Sequence, residues 1–544
     1  MNTLTIDGQE IEARPGESVL GAARRLGIDI PALCHLEKCG PLNTCLVCLV
    51  KVVANGQGKL VPSCGTKALP GMVIESETEE VHQARRTALE LLLSDHIGDC
   101  LSPCQRLCPL QLNIPAMLRQ VHSGHLEEAM AGTRAALPLA AALGRLCHHP
   151  CEQGCRRGNW DGPAAIRDME FYLTTSLEPA LAFRPPACKR PSQRTVAIVG
   201  AGPTGLAAAF YLAKEGHAVT VIDRRGRAGG TLRDVPEAEL PAAVLDAEID
   251  LLARMGIEFR TGIELGNQVT VEGLTRGFDA ILLAVGELAR NAGEKLGLPS
   301  AATGLRTDPN NCQTGLPKVF AAGAVVKPIK QLVRAMSEGR AAAECVHQFL
   351  TGGMVRRPEK AFSSVMGRID PGELRQFLRQ SGAASRVTAC DRCAGFNRQE
   401  AATEAERCLH CDCRSSGNCT LQHYAQVYSA DANRFKSTRR QFVQEVQPGG
   451  VIFEPGKCIL CGICVKLTEM AQERLGLTYI GRGFAVRVAA PFQQDIAAGL
   501  GGVAAECVEH CPTGALSFSE KKELLKDQAQ ALEEKGQVTA RGGH

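Results

Sequence analysis

Most of the 25 cysteines of this 544-residue chain gather in five short stretches, and no other feature constrains the fold as strongly. Cysteines crowded in sequence must be seated together in space, and they serve either as disulfides or as thiolate metal ligands. At 25 of 544 they fall below the roughly 8–10% of a small disulfide scaffold. The opening MNTLTIDGQE has neither a basic n-region nor an apolar core, so no secretory signal and no oxidising route are expected. Reduced thiols, metal and a cytoplasmic location follow as expectations. Lys and Arg exceed Asp and Glu by only three, which leaves no field to recruit nucleic acid. The most apolar run, AALPLAAALG (135–144), is too short to span a bilayer and contains Pro138, so no membrane insertion is expected.

The length suggests several domains. Thr3–Ile6 alternates as a strand, Asp7-Gly8 signals a hairpin turn, and Ser18 precedes an apolar-periodic helix, giving a small α+β unit over 1–80. A helical pattern with cysteines at helix ends fills 81–183. FRPPACKRPSQR (183–194) and TGGMVRRPEK (351–360) read as linkers around an α/β domain over 195–350. A cysteine-rich helical segment (361–440) and a last cysteine domain (441–544) follow.

Cys34, Cys45, Cys48 and Cys64 give C-x10-C-x2-C-x15-C, a loop of three thiols and a distant fourth. Structural zinc is the competing reading, weakened because the closing pair of a zinc ribbon is missing. Cys39 is left over. Near the C-terminus, Cys458, Cys461 and Cys464 are followed by Cys511-Pro512. Bacterial ferredoxins use two complete C-x2-C-x2-C-x3-C runs that exchange their fourth ligands. Here Thr468, Gly501 and Ala504 stand where three ligands of a second cluster would be, so one complete [4Fe–4S] set survives and Cys507 is an orphan. Cys390, Cys393, Cys408, Cys411, Cys413 and Cys419 form C-x2-C-x14-C-x2-C-x-C-x5-C; the first four alone suit a zinc ribbon. Cys188, Cys312 and Cys345 stand alone.

The hairpin, helix and first cysteine group resemble the [2Fe–2S] ferredoxin domain that opens the large iron–sulfur subunit of NADH dehydrogenases and related hydrogenases. PCQRLCPLQLNIP, GRLCHHPCEQGC and GPAAIRDMEF resemble the double-cluster domain of the glutamate synthase small subunit and dihydropyrimidine dehydrogenase. That resemblance implies one [4Fe–4S] site of Cys108, Cys147, Cys151 and Glu170, and a second of His96, Cys100, Cys104 and Cys155. His96 departs from the family's Cys; imidazole ligation would raise the cluster's potential. The competing readings are a helix-end histidine and a solvated glutamate. AERCLHCDC resembles cysteine segments attached to flavin-linked iron–sulfur subunits, which favours another [4Fe–4S] cluster over zinc at 390–419.

TVAIVGAGPTGLAAAFYLAKEGHAVTVID is a strand, Gly200-x-Gly202-x-x-Gly205, a helix and a second strand ending at Asp223. Glycines in this context permit a tight turn, close approach to a pyrophosphate and close helix packing, with the acidic residue available to a ribose. RAGGTLR (227–233), FDAILLAVG (278–286) and KVFAAGAVV (318–326) resemble the FAD domain of the glutamate synthase small subunit. The resemblance implies FAD contacts from Gly200, Gly202, Pro203, Gly205, Asp223, Arg224, Gly230, Thr231, Val285, Gly286, Gly323 and Ala324. Ala324 replaces the family's usual Asp. The family inserts an NADPH-binding domain between the positions of Gly286 and Gly323, where this chain has only 36 residues. A βαβ unit alone takes roughly 30 or more, so that domain is expected to be missing.

The expected architecture is multidomain α+β and α/β: a β-grasp ferredoxin, a helical double-cluster domain, a Rossmann-like FAD domain and a C-terminal ferredoxin-like domain. The expected cofactors are FAD, one [2Fe–2S] and three or four [4Fe–4S] clusters, with zinc the alternative for one of them. The expected role is an electron-transfer subunit linking a diaphorase-like NAD(P)H-oxidising subunit to a molybdenum or tungsten oxidoreductase, a hydrogenase subunit or ferredoxin, with flavin-based bifurcation left open. The alternatives are a self-contained NAD(P)H-dependent reductase and a redox-sensing or zinc-stabilised binding protein.

Overall fold

A computed structural model of the chain describes residues 3–519 apart from 55, 176–181, 288–292, 294–296, 302–303, 391–393 and 416. The backbone resolves into two compact units. One gathers 1–101, 361–377 and 412–544; the other gathers 102–360 and 378–411. The expected cysteine segment 390–419 is therefore divided, with Cys390, Cys408 and Cys411 in the second unit and Cys413 and Cys419 in the first. Cys393 lies outside the described residues.

The first unit begins with the hairpin Thr3–Ile6 and Gln9–Glu12. Asp7 and Gly8 take φ of 46° and 79°, the doubly left-handed turn whose twist matches a two-residue hairpin. The sheet runs Gln9–Glu12, Thr3–Ile6, Val73–Glu75, Leu49–Ala54, Gln57–Pro62, with only Thr3–Ile6 and Val73–Glu75 parallel. Helix Val19–Arg25 covers it, capped where the Ser18 hydroxyl accepts from Gly21 N at 3.1 Å, a contact worth about 1 kcal/mol. Val19, Leu20, Ala22 and Ala23 pack against Leu4, Ile6, Val50 and Ile74, and Cys48 and Cys64 belong to the same core. The C-terminal part adds the strands Glu445–Val446, Val451–Phe453 and Leu516–Phe518, with helices Ile463–Met470 and Ala504–Glu509. Segment 361–377 is bound to it through Glu373, which accepts from Arg439 at 2.8 Å and from Phe442 N at 2.6 Å.

The second unit joins a set of helices to a parallel sheet ordered Glu258–Thr261, Ala218–Asp223, Thr195–Val199, Ala280–Leu283, Val319–Ala321. Helices Pro203–Lys214 and Leu332–Leu350 pack together, and Gly339 is required there because a Cβ would fall 2.2 Å from Thr204 O. Arg134 Nη1 and Glu248 Oε2, both buried, pair at 2.5 Å across helices Leu126–Ala136 and Ala242–Arg254. Burying this pair is tolerable because Glu248 also accepts from Ala141 N at 2.5 Å. Among the described residues no helix is long and apolar enough to cross a membrane.

Candidate functional site

Several of the cysteines sit on loops that turn backbone N–H groups toward sulfur, and non-glycine residues with positive φ stand beside them. Asn43 (55°), Leu46 (54°), Gln111 (57°), His149 (41°), His410 (46°) and Leu460 (55°) all lie within three residues of a cysteine of these groups. Such backbone costs on the order of 1–3 kcal/mol per residue and clusters at functional sites. Its yield here is visible: Thr44 N reaches Cys34 Sγ at 3.4 Å, His149 N reaches Cys147 Sγ at 3.4 Å, and His410 N reaches Cys408 Sγ at 3.5 Å. These donors favour thiolate over thiol and would stabilise the negative charge of a bound cluster.

In the first unit Cys34, Cys45, Cys48 and Cys64 are buried and pack thiol to thiol, with Cys48 Sγ 3.4 Å from Cys64 Sγ. Hydrogen bonds from Cys45 and Cys64 hold Cys34 well below the usual thiol range, and the Cys64 contact brings Cys48 to about 6. Four convergent, buried sulfurs with backbone donors suit a [2Fe–2S] cluster. Cys39 is buried nearby, in the same apolar cluster as Cys34 and Cys45.

Cys458, Cys461, Cys464 and Cys511 line an apolar cavity closed by Phe453, Ile463, Leu477, Val488 and Ile496. Burial pushes Cys458 up to about 11. Polar atoms are scarce in that wall, so a soft cluster of iron and sulfide fits it better than water or a hard cation. Cys507, left as an orphan by its spacing, lines the same cavity, which spacing alone could not show. The second-cluster positions are filled otherwise. Thr468 donates to Val465 O at 2.9 Å and accepts from Leu477 N at 3.0 Å, and beside Gly501 the N–H of Gly502 donates to Glu473 at 2.7 Å. Thr44 Oγ1 donates to Cys461 O at 3.2 Å, so the two cysteine loops of this unit touch.

In the second unit Cys108, Cys147, Cys151 and Glu170 line one pocket with Leu137, Leu143 and Val333. Burial, with Glu152 adding to it, raises the Glu170 carboxyl to about 8. A lone buried carboxylate among thiols is costly unless a cation meets it, and the three thiols and this carboxyl are a donor set fit for a [4Fe–4S] cluster. Cys104 faces the Ser102 hydroxyl at 3.1 Å and is an electrostatic neighbour of Cys151; Cys155 is half-buried beyond it. Of the second expected [4Fe–4S] set, His96 and Cys100 fall in the first unit and Cys104 and Cys155 in the second; Cys100 O accepts from Cys413 N at 3.3 Å. Cys390 is exposed, whereas Cys408 and Cys411 are half-buried. Among the described residues no three His, Cys, Asp or Glu groups close around a single-ion position.

The glycine loop has the stereochemistry its spacing requires. Gly200 takes φ of 112°, and a Cβ there would strike Ala284 O at 2.2 Å; one on Gly205 would strike Gly200 O at 1.9 Å. Gly202 caps helix Pro203–Lys214, leaving the helix N-terminus open to an anion such as a pyrophosphate. Gly230 packs on Gly202, and Gly323 leaves room for the Thr204 side chain. Asp223 is buried, and its two oxygens already accept from Ala201 N (2.6 Å) and Arg225 N (2.7 Å). It thus shapes the loop. Arg224 and Thr231 are exposed, Val285, Gly286 and Ala324 half-buried. Between Gly286 and Gly323 the described residues hold the two-residue strands Ser300–Ala301 and Gly304–Leu305 and the sheet's edge strand Val319–Ala321.

Three family models match successive parts of the chain: a 2Fe-2S iron-sulfur cluster binding domain over 1–79, the dihydropyrimidine dehydrogenase domain II, 4Fe-4S cluster, over 76–180, and pyridine nucleotide-disulphide oxidoreductase over 158–339. The NADP(+)-dependent formate dehydrogenase subunit beta of Moorella thermoacetica is 36% identical over 34% of this chain and 29% of its own length. The NADPH-Fe(3+) oxidoreductase subunit beta of Geobacter sulfurreducens is 34% identical over 34% and 28%. The glutamate synthase [NADPH] small chain of Mycobacterium tuberculosis is 37% identical over 35% and 40%. The chain thus spans well under half the length of these relatives. Over residues 1–339 the chain is accordingly similar, in this order, to a 2Fe-2S iron-sulfur cluster binding domain, to the 4Fe-4S domain II of dihydropyrimidine dehydrogenase and to pyridine nucleotide-disulphide oxidoreductase.

Proposed function

We propose that the chain is an FAD- and iron–sulfur-containing electron-transfer subunit of a multi-subunit oxidoreductase. Electrons would pass between a diaphorase-like NAD(P)H-oxidising subunit and a second redox partner, with a formate-oxidising molybdenum or tungsten subunit favoured by the name of the Moorella relative. A hydrogenase subunit or ferredoxin would meet the same chemistry. The carrying observation is the contact of the Thr44 hydroxyl with Cys461 O, which puts the loop of the N-terminal thiols against that of the C-terminal ones. FAD can take two electrons together and release them singly, and each cluster carries one. The chain's own residues hold and insulate: the αL turns aim N–H groups at sulfur, Leu477, Val488 and Ile496 keep water from the C-terminal thiols, and the Gly202 helix end receives the anionic part of the dinucleotide.

In this reading 1–80 is the β-grasp ferredoxin, 81–183 the double-cluster domain, 195–350 the Rossmann-like FAD domain and 441–544 a ferredoxin-like domain. The short stretch from Gly286 to Gly323 supports the absence of a second nucleotide domain. The test is reconstitution with a diaphorase partner. Pyridine-nucleotide oxidation coupled to an acceptor should require the partner, and Cys45→Ser should abolish coupling while FAD stays bound. Undiminished coupling in Cys45→Ser would contradict the reading.

A further inference from the structure

We propose that Cys312 and Cys345 form a reversible disulfide, a peroxide-responsive pair in the second unit that stands apart from the sulfur-bound centres. It goes beyond the electron-transfer reading, since neither residue belongs to a ligand set. Spacing leaves the two cysteines alone, 33 residues apart, yet the fold brings them together: the Cys345 thiol donates toward Cys312 Sγ at 4.0 Å. Both are buried, Cys312 at 1% and Cys345 at 0% exposure. A disulfide needs sulfurs about 2 Å apart, so thiols already in contact have little way to travel. Cys345 stands on helix Leu332–Leu350, and Cys312 on the loop before strand Val319–Ala321. That loop is held firmly. Cys312 N donates to Asp308 O at 3.0 Å, Asp308 N to Gln313 O at 2.9 Å, and Ala321 N to Cys312 O at 3.0 Å.

Two features set this pair apart from ordinary core cysteines, which behave as small hydrophobes. Cys312 holds φ of 62°, a left-handed backbone that is costly for any residue but glycine and recurs at functional sites. The second feature is Arg357. Its Nε is buried without a hydrogen-bond partner among the described residues, its N–H donates to Asn310 O at 2.5 Å, and its Nη2 pairs with Glu338 at 2.7 Å, which brings the guanidinium to the Cys312 loop. The Cys345 contact, with Arg357 adding to it, holds the Cys312 thiol below the usual range, and the same contact together with burial pushes Cys345 up. Cys312 is thus the thiolate and Cys345 the partner that keeps its proton. Arg357 also lines a cavity of about 750 Å³ with Thr307, Pro309, Ser337 and Glu338, so a water-sized oxidant there comes within one side chain of the thiolate. With hydrogen peroxide, the Cys312 sulfur takes one oxygen as the O–O bond breaks, and the departing hydroxide takes up a proton to become water. The Cys345 thiol then attacks Cys312 Sγ; the S–S bond forms, the S–O bond breaks, and a second water carries off the Cys345 proton. The two thiols lose two electrons in all, and peroxide gains them. The new bond ties the Cys312 loop to helix Leu332–Leu350, both of which line the cavity.

The test uses the full-length chain with its cofactors, prepared anaerobically, exposed to equimolar hydrogen peroxide, blocked with N-ethylmaleimide and digested for mass spectrometry. The wild-type chain should yield a peptide pair joined through Cys312 and Cys345 that dithiothreitol separates. Cys345→Ser should halt after the first step and leave Cys312 as a sulfenic acid captured by dimedone, whereas Cys312→Ser should leave Cys345 unlabelled. Arg357→Met should slow cross-linking by about tenfold and Arg357→Lys by less, a contrast that a merely structural arginine would not produce. Should a serine variant fail to fold, the wild-type cross-link and the Arg357 rates still decide. No joined peptide in the wild type, dimedone on Cys345 instead of Cys312, or an undiminished rate in Arg357→Met would each overturn the inference.

Discussion

The two compact units seat sulfur in different ways. In the first, three remote stretches of chain are brought together, and two of the cysteine loops touch through Thr44 and Cys461. In the second, the Glu170 pocket lies among helices next to a parallel sheet, and a carboxyl stands where a fourth thiol would be. On the proposed function, the first unit would serve passage between centres and the second would couple one centre to a dinucleotide. Both units place left-handed residues beside cysteines, and only the Glu170 pocket adds a side chain from the middle of a helix. Loops with left-handed residues can aim several backbone donors at several sulfurs, whereas a helix such as Ile166–Thr175 presents one side chain per turn to a given point.

The sharpest way to break this contrast is to remove one centre from each unit. Cys461→Ser should cost about four iron atoms from the first unit and leave the signal of the Glu170 site intact, and Cys147→Ser should do the converse. Electron paramagnetic resonance of the two variants checks both; loss of every signal in either variant would show that the units do not stand separately. Next in size is Gly205→Val. Its first added carbon would meet Gly200 O at 1.9 Å, so the second unit should lose about 3 kcal/mol and its FAD, while the [2Fe–2S] signal of the first persists. Calorimetry with flavin and iron analysis reads the outcome.

A smaller effect probes how segment 361–377 is held. Arg439 and the N–H groups of Phe442 and Asp370 keep the Glu373 carboxyl down at about 2. A depressed value means that its contribution to stability is present above the unfolded value near 4.5 and is lost as pH falls from there through about 2. Glu373→Gln should therefore destabilise the first unit by about 2 kcal/mol at neutral pH and by progressively less below pH 4. Denaturant titrations at several pH values measure it; a pH-independent deficit would contradict the assignment. Smallest is Ser18→Ala, expected to cost about 1 kcal/mol through the lost helix cap.

Local chemistry was legible in the amino-acid sequence. Asp7-Gly8 announces its turn, Ser18 its cap, and Gly200, Gly202 and Gly205 a strand-to-helix loop, because each depends on neighbours a few residues away. Long-range pairing was not legible. Nothing in the spacing of Cys413 says that its N–H donates to Cys100 O, more than 300 residues away in sequence. The left-handed residues His149, His410 and Leu460 were equally hidden, since no glycine marks them. Asp223 was recognisable as the end of its strand, but its grip on the amides of Ala201 and Arg225 depends on the folded loop.

On the proposed function the flavin of this chain exchanges electrons through its sulfur-bound centres and not directly with a pyridine nucleotide, because hydride transfer needs the nicotinamide held about 3–3.5 Å from the flavin and only 36 residues separate Gly286 from Gly323. Anaerobic stopped-flow mixing of the isolated, flavin-loaded chain with NADPH and with NADH tests it most directly. The flavin absorbance should stay oxidised over the time of a catalytic turnover and bleach once a diaphorase partner is added. Rapid bleaching by NADPH or NADH in the isolated chain would contradict the account.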